Sequence, residues 1–395
     1  MARRTDSPDG RRHISTRRKL TFAAVLVVLM GLSCEAAVRV RAWIKYGTSS
    51  SSISEGMTVR DPMTGLLIPK AGYNQQSRNI SISINSLGFR GDEIVQKKPA
   101  NTVRIACLGA STTFSTEVSN NHATWPAQLQ TALEREYPGV AFDVINAAVP
   151  GYVITDNLIN LRHRVLPLDP DLVIYYEANN DMAVDTRALA QREGVIAETG
   201  NYISPATRWL SEHSLLFDLV HKNSKILFAE DTDSVGKLTH MPNDLPSRFE
   251  NELGHLDAEL RSKGIPLLLS TFVVKYRRDQ PRATQMANAN LSFYYMPWMT
   301  IDGLLDAMDY YNDAILRYAH AHDVPVVDDR TMIPADAEHF VDWAHMTDAG
   351  SAVQAERFRR FLVTSGMIQK IVDRRRANST SARSLITATT TEHPR

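Results

Sequence analysis

Residues 102–113 read TVRIACLGASTT. VRIACLG is an apolar run of strand length, too short for a helix and closed by a glycine. The same alternation continues downstream. HATWPAQLQTALEREY has helical spacing, FDVINAA reads as a second strand, TDNLINLRHRVL as a second helix and DLVIYYEA as a third strand. After a pause the pattern resumes with FENELGHLDAELRSKG as helix, IPLLLSTF as strand, IDGLLDAMDYYNDAILRYAHAH as helix and VPVVD as strand. DAGSAVQAERFRRFLVTSG closes the series as a helix. Apolar strands alternating with helices predict a parallel sheet covered on both faces. The expected fold is therefore α/β, a flavodoxin-like three-layer α/β/α sandwich with a five-stranded parallel sheet. This core spans 101–369, and the pause at about 185–245 reads as a helical insertion, SPATRWLSEHSLLFDLVHKNSKILF, followed by a polar loop.

The flanks differ from this core. The chain has 395 residues, 43% hydrophobic, which is ample for a full core and excludes a small scaffold held by staples. Two cysteines exclude a disulfide framework and a Cys-rich zinc site. Formal charge is zero but unevenly spread. Residues 1–46 carry ten Lys/Arg against three Asp/Glu, and residues 370–395 carry six against two. The stretch between them has a net charge of −11, which argues against nucleic acid as a partner, because phosphate binding needs clustered basic residues.

The basic N-terminus leads into an apolar run that accounts for it. Seven basic residues precede LTFAAVLVVLMGLSC, fifteen residues without a charge. A span needs about 20 residues. The pattern continues through EAAVRVRAWIKY, so a helix over 20–44 reaches across, with Glu35 near the far interface and Trp43 and Tyr46 as interfacial aromatics. Residues 1–19 then stay cytoplasmic and the body lies outside the cytoplasm. A cleaved signal peptide is the alternative, and Gly31–Cys34 as a lipoprotein box or Arg17-Arg18 as a twin-arginine signal are weaker ones. Residues 45–100 read as a Ser-rich tether and a short β lead-in, since NISISI alternates among Gly, Pro and Asn; residues 370–395 read as a disordered basic tail.

In such a sheet, ligands bind at the carboxyl ends of the strands near the point where strand order reverses. The first strand is followed by Gly109-Ala110-Ser111-Thr112-Thr113, the second by Ala147-Ala148-Val149-Pro150-Gly151-Tyr152 and the third by Glu177-Ala178-Asn179-Asn180-Asp181. Beyond the fifth comes Val341-Asp342-Trp343-Ala344-His345-Met346-Thr347. Each has a plain structural use: Ser111 as a helix cap, Gly151 as a turn glycine, Asn180 as an Asx-turn residue, Asp342 and His345 as surface loop residues. Together they supply a hydroxyl nucleophile, a base that titrates near neutrality, an orienting acid and oxyanion donors, which are the parts of an esterase. His339 is the rival base. Cys107 reads as a small buried hydrophobe. No cluster has metal-ligand spacing, and no cofactor is expected.

These four blocks resemble the SGNH or GDSL-type serine esterases, and the stretch Asn85-Ser86-Leu87-Gly88-Phe89-Arg90-Gly91 resembles the lead-in of their membrane-anchored members. Gly109-Ala110-Ser111 stands where the family usually has GDS, and Ala178-Asn179-Asn180-Asp181 where it has GxND. Asp342-Trp343-Ala344-His345 keeps DxxH, and Gly151 matches the second block. The resemblance covers about 100–365. It implies Ser111 as nucleophile, His345 as general base and Asp342 as its orienting acid. The oxyanion hole would comprise the Ser111 and Gly151 N–H groups and the Asn180 amide. The implied substrate is an acylated small molecule or glycan, with cell-envelope or exported carbohydrate a candidate. Phe293-Tyr294-Tyr295-Met296-Pro297-Trp298 is either a sugar-stacking surface or a buried apolar patch. Acyl transfer to a sugar hydroxyl by the same triad and a catalytically lapsed envelope scaffold are the alternatives.

Overall fold

The computed structural model describes residues 15–46, 56–197, 205–228 and 236–376. The Ser-rich tether, the middle of the polar loop after the helical insertion and the end of the chain from 377 lie outside the described residues.

Helix α1 (Thr16–Tyr46) opens the described chain. Leu20, Phe22, Leu26, Val27, Val28 and Met30 are all exposed on it, not covered by any of the described residues. The stretch Thr16–Ile44 has the length and apolarity of a membrane anchor or a signal sequence. The lead-in is two short antiparallel hairpins, β1 (Thr58–Arg60) with β2 (Leu67–Pro69) and β3 (Asn74–Gln76) with β4 (Ser81–Ser83). Their apolar residues Met57, Ile80, Ile82 and Ile84 form a small cluster with Phe114 and Ala148. Phe114 closes the short helix that starts at Ser111 and Ala148 lies in the loop before Gly151, so the lead-in is packed beneath the site.

The core then alternates as expected. In chain order it runs β5 (Thr102–Gly109), α2 (Ser111–Phe114), α3 (Trp125–Glu136), β6 (Ala141–Asn146), α4 (Ile154–Asn160) and β7 (Leu172–Tyr176). α5 (Asn179–Arg192), α6 (Pro205–His213), α7 (Leu215–Phe228), α8 (Ser247–Ser262) and β8 (Leu267–Ser270) come next. The last elements are α9 (Arg282–Ala289), α10 (Ser292–Tyr295), α11 (Ile301–Ala321), β9 (Val326–Val327) and α12 (Asp348–Thr364). The five strands β6-β5-β7-β8-β9 pair in that order, all parallel. Every residue of β5, β7 and β8 is buried, which is why these strands read as continuous apolar runs. One helical layer contains α3 packed on α12, the other α8 packed on α4 and α11. Trp125 of α3 joins its layer to the sheet, with its ring 4.7 Å from Phe358 and 6.4 Å from Tyr176. The chain leaves β5 for the edge strand β6 and returns across β5 to β7. That reversal opens a crevice at the carboxyl ends of β5 and β7.

Two boundaries differ from the sequence reading. Helix α5 runs unbroken across 185 and buries Met182, Leu189 and Ala190, so it belongs to the core; α6 and α7 carry the insertion. Residues 370–376 are not part of a disordered tail, contrary to the expectation. A helix continues over 367–376, with Ile368, Ile371 and Val372 buried and the Arg375 Nε donating to Asp171 at 2.7 Å. The run of arginines masked these three apolar positions at helical spacing.

Gly109 ends β5 where that strand lies against β7. A Cβ there would sit 2.4 Å from Thr113 Oγ1 and 2.4 Å from the Tyr176 carbonyl oxygen. The second contact is with backbone in mid-sheet and cannot swing aside. Gly109→Ala should therefore lower stability by roughly 1–3 kcal/mol, the usual range for an overpacked core. A lowered thermal midpoint of the detergent-solubilised chain checks this; an unchanged midpoint would mean that β5 and β7 are not in this register.

Candidate active site

Ser111 is the first residue of α2, two residues beyond the tight approach at Gly109, so its side chain leaves the sheet at the end of β5. Its hydroxyl does not cap its own helix. The Ser111 Oγ lies 2.8 Å from His345 Nε2. On the other side of the ring, His345 Nδ1 lies 2.7 Å from Asp342 Oδ2. The Asp342 and His345 side chains are held by a closed turn. Asp342 Oδ1 accepts from the N–H groups of Ala344 and His345 at 2.9 and 2.8 Å, and the Val341 N–H donates to the His345 carbonyl at 2.8 Å. Three of the five predicted residues thus form one hydrogen-bonded chain from carboxylate to hydroxyl.

The remaining two face the same cleft. Gly151 comes after Pro150 with φ of +87°, a left-handed conformation that favours glycine. Neither the Gly151 N–H nor the Ser111 N–H donates to a described residue, so both are free at the cleft. Asn180, in the first turn of α5, donates one amide hydrogen from Nδ2 to the Tyr152 carbonyl at 3.0 Å. This bond ties α5 to the Gly151 loop and leaves the second amide hydrogen. The cleft measures about 470 Å³ and is lined by Ser111, Gly151, Asn180 and His345, with Tyr295, Trp343 and Lys222 on its walls. Tyr295 and Trp343 are in ring contact at 5.3 Å. The aromatic stretch at 293–298 is therefore divided: Phe293, Met296 and Trp298 are buried, whereas Tyr295 is half exposed in the cleft. His339 is bonded to Asp336 at 2.7 Å instead of to Ser111.

Several supports were invisible to spacing arguments. Arg90, buried in the lead-in, donates from Nη1 to the carbonyls of Phe114 and Ser115 at 3.0 and 2.6 Å, and Asn146 Nδ2 donates to Thr113 and Phe114. Together they satisfy the carbonyl end of α2, whose C-cap Ser115 has φ of 62°. The Asn157 Oδ1 accepts from the Gly109 N–H at 3.0 Å. Below Asn180, the Glu177 Oε1 accepts from its N–H at 2.7 Å. Burial pushes the Glu177 carboxyl up to about 8, so it is largely protonated at neutral pH and accepts through an oxygen that carries no full charge. Asp181 accepts from the Ile154 N–H at 2.9 Å and from Arg248 Nη2 at 2.7 Å, joining α5 to α4. Burial pushes Asp181 up to about 6, against the pull of Arg248.

At His345, burial disfavours the imidazolium, but the Asp342 carboxylate outweighs it and the ring titrates above its ordinary value. Burial likewise raises Asp342, and the hydrogen bond from His345 outweighs that, holding the carboxyl below its ordinary value. Both directions describe an ionised carboxylate that favours the imidazolium, the form His345 takes on accepting a proton. Cys107 is buried inside β5, where burial drives its thiol well up and leaves it inert.

The GDSL-like lipase/acylhydrolase family matches residues 107–353, which is most of the core and includes all five site positions. Solved structures with similar folds include an acetylxylan esterase from Geobacillus stearothermophilus at 16% identity and a TM-score of 0.39, covering 66% of this chain and 94% of that one. A protein described as a putative lipolytic protein of the G-D-S-L family from Desulfitobacterium hafniense is 14% identical at a TM-score of 0.38, covering 66% of this chain and 99% of that one. An alpha/beta hydrolase enzyme from the metagenome of Lake Arreo is 18% identical at a TM-score of 0.39, covering 66% and 94%. Comparison with curated proteins found no match. The match over residues 107–353 makes this chain a member of the GDSL-like lipase/acylhydrolase family and an esterase.

Proposed function

We propose that Ser111, His345 and Asp342 carry out the ester hydrolysis, on an acylated carbohydrate held at the outer face of a membrane by α1. The observation that carries the catalytic part is the unbroken chain from Asp342 through His345 to Ser111, at 2.7 and 2.8 Å. Ser111 Oγ attacks the acyl carbon while its proton passes to His345 Nε2. The C–O bond to the leaving alcohol then breaks, and His345 returns the proton to that oxygen. Water repeats the sequence on the acyl-enzyme, with His345 again as base, and releases the carboxylic acid. Asp342 fixes the tautomer with the proton on Nδ1 and stabilises the imidazolium. The Ser111 and Gly151 N–H groups and the free Asn180 amide hydrogen receive the oxyanion. Tyr295 and Trp343 offer flat faces on which a sugar ring can stack. The basic residues before the apolar run of α1 favour the cytoplasm, which leaves the core outside it.

The His345 shift sets a pH dependence. The base must be neutral, so activity falls on acidification as the imidazole protonates. Because Asp342 raises that titration, the inflection in kcat/KM for p-nitrophenyl acetate should lie above the ordinary histidine value of about 6.5. Asp342→Asn should reduce the rate and move the inflection of the residual activity downward. An inflection unmoved by Asp342→Asn would show that another group sets the profile, with His339 the next to replace.

Asn180→Ala should reduce kcat on the order of 10²–10³ with little change in KM, since the charge that it receives exists only in the transition state. Labelling by a reactive phosphonate should suffer less than turnover. Retention of more than about half of kcat, against that expected loss, would reduce Asn180 to a tie between α5 and the Gly151 loop. Glu177→Gln keeps an acceptor for the Asn180 N–H, so it should retain more kcat than Glu177→Ala does. Equal losses in the two variants would count against a positioning role for Glu177.

For orientation, alkaline phosphatase fused after Arg395 should be active. A silent fusion, with a cytoplasmic reporter bright at the same point, would reverse the topology.

A further inference from the structure

The hairpin of α6 and α7 touches both ends of the proposed arrangement. Its inner side reaches the cleft, where Lys222 of α7 lies 5.3 Å from the centre of the Tyr294 ring and 6.0 Å from that of Tyr295. Its turn is held by α1. The Glu35 carboxylate of α1 accepts from the Ser214 hydroxyl at 2.8 Å and from the N–H groups of Leu215 and Leu216 at 3.0 and 2.9 Å. The neighbouring Arg39 donates to Glu35 at 2.7 Å and to the His213 carbonyl at 2.9 Å. Glu35 thus satisfies the free N–H groups at the start of α7 from another helix, about 180 residues away. Removal of this segment would take from the Leu215 and Leu216 N–H groups the acceptor they have here.

The height of that clamp is set by helix geometry. From Leu20, the first residue after the basic cluster, to Cys34 an α-helix rises about 21 Å, against a hydrocarbon core of about 30 Å. Glu35 therefore stands no farther out than the outer boundary of the span, and the turn between α6 and α7 is brought there with it. Exposed apolar side chains gather on the same two helices: Trp209 and Leu210 on α6, Leu219 and Val220 on α7. On α1 itself Val40, Trp43 and Ile44 are also exposed just beyond Glu35. Tryptophan beside aliphatic residues at this depth suits the headgroup region.

We infer that the α6–α7 hairpin is a membrane-contact element whose partner is the lipid bilayer. Trp209, Leu210, Leu219 and Val220 lie in the outer headgroup region, and Lys222 links that surface to the wall of the catalytic cleft. The inference rests on the membrane-anchored reading above. It adds that the cleft is held at the bilayer surface instead of swinging free on a tether.

The tryptophans provide the test. Trp125, Trp298 and Trp343 are buried, whereas Trp43 and Trp209 are exposed, which leaves two that lipid can reach. The full chain would be reconstituted in vesicles of phosphatidylcholine brominated near the headgroup end of one acyl chain, with unbrominated vesicles as reference. Trp43→Phe should still lose fluorescence in brominated vesicles, and Trp43→Phe with Trp209→Phe should lose this component. If wild type is quenched but Trp43→Phe is quenched no more than the double variant, the anchor stands and the hairpin inference is overturned. If wild type itself is not quenched, the anchored reading fails and takes the inference with it.

Discussion

The 2.8 Å contact between His345 and Ser111 joins residues 234 positions apart, one at the end of the central strand β5 and the other in the turn before α12. A hydroxyl is a poor nucleophile, so the chemistry proposed at Ser111 depends on this bond being present before substrate arrives. Holding it requires two separate backbones to be fixed to within a fraction of an ångström. On one side the sheet does this: Gly109 lies against the Tyr176 carbonyl, and the Thr113 hydroxyl of α2 donates to that same carbonyl at 2.9 Å. On the other side the Asp342 turn does it, with one carboxylate oxygen on two backbone N–H groups and the other on the imidazole.

Around that bond, buried polar groups are used to lock loops rather than to add net stability. A charge or amide left unpaired in the interior is costly, so each buried polar group specifies the geometry of its partners. Arg90 fastens the end of α2, Asn157 holds the Gly109 N–H, and Asp181 with Arg248 aligns α5 with α4. Glu177 is the least expected of these. A carboxyl pushed up to about 8 beneath the site supports Asn180 while remaining largely uncharged at neutral pH, so it places little negative charge near the oxyanion proposed there. The lead-in has a similar part: through Arg90 and the cluster with Phe114 it is built into the support of the nucleophile.

The strand runs and four short blocks were legible because parallel strands buried on both faces leave continuous apolar stretches, and because three of the four blocks come directly after those strands. The departures from the family pattern, Ala110 and Ala178, change neither the hydroxyl at 111 nor the amide at 180. What the sequence could not convey were pairings between distant segments. Nothing near Glu35 announces that it caps a helix starting at Leu215, and nothing in NSLGFRG says that Arg90 reaches the carbonyls after Ser111. The helical end of the core at 367–376 was missed for a different reason: charged residues dominate its composition while only Ile368, Ile371 and Val372 turn inward. Element type was thus readable from local pattern, whereas capping, clamping and the depth of the insertion depended on tertiary path.

The central claim is that Ser111 is activated by the chain of hydrogen bonds from Asp342. Its most direct test is to treat the detergent-solubilised full chain with a fluorophosphonate, digest it, and locate the adduct by tandem mass spectrometry. The account predicts a single adduct on Ser111, formed rapidly in wild type and only slowly after His345→Ala. An adduct on another residue, or labelling of Ser111 at the same rate without His345, would contradict it.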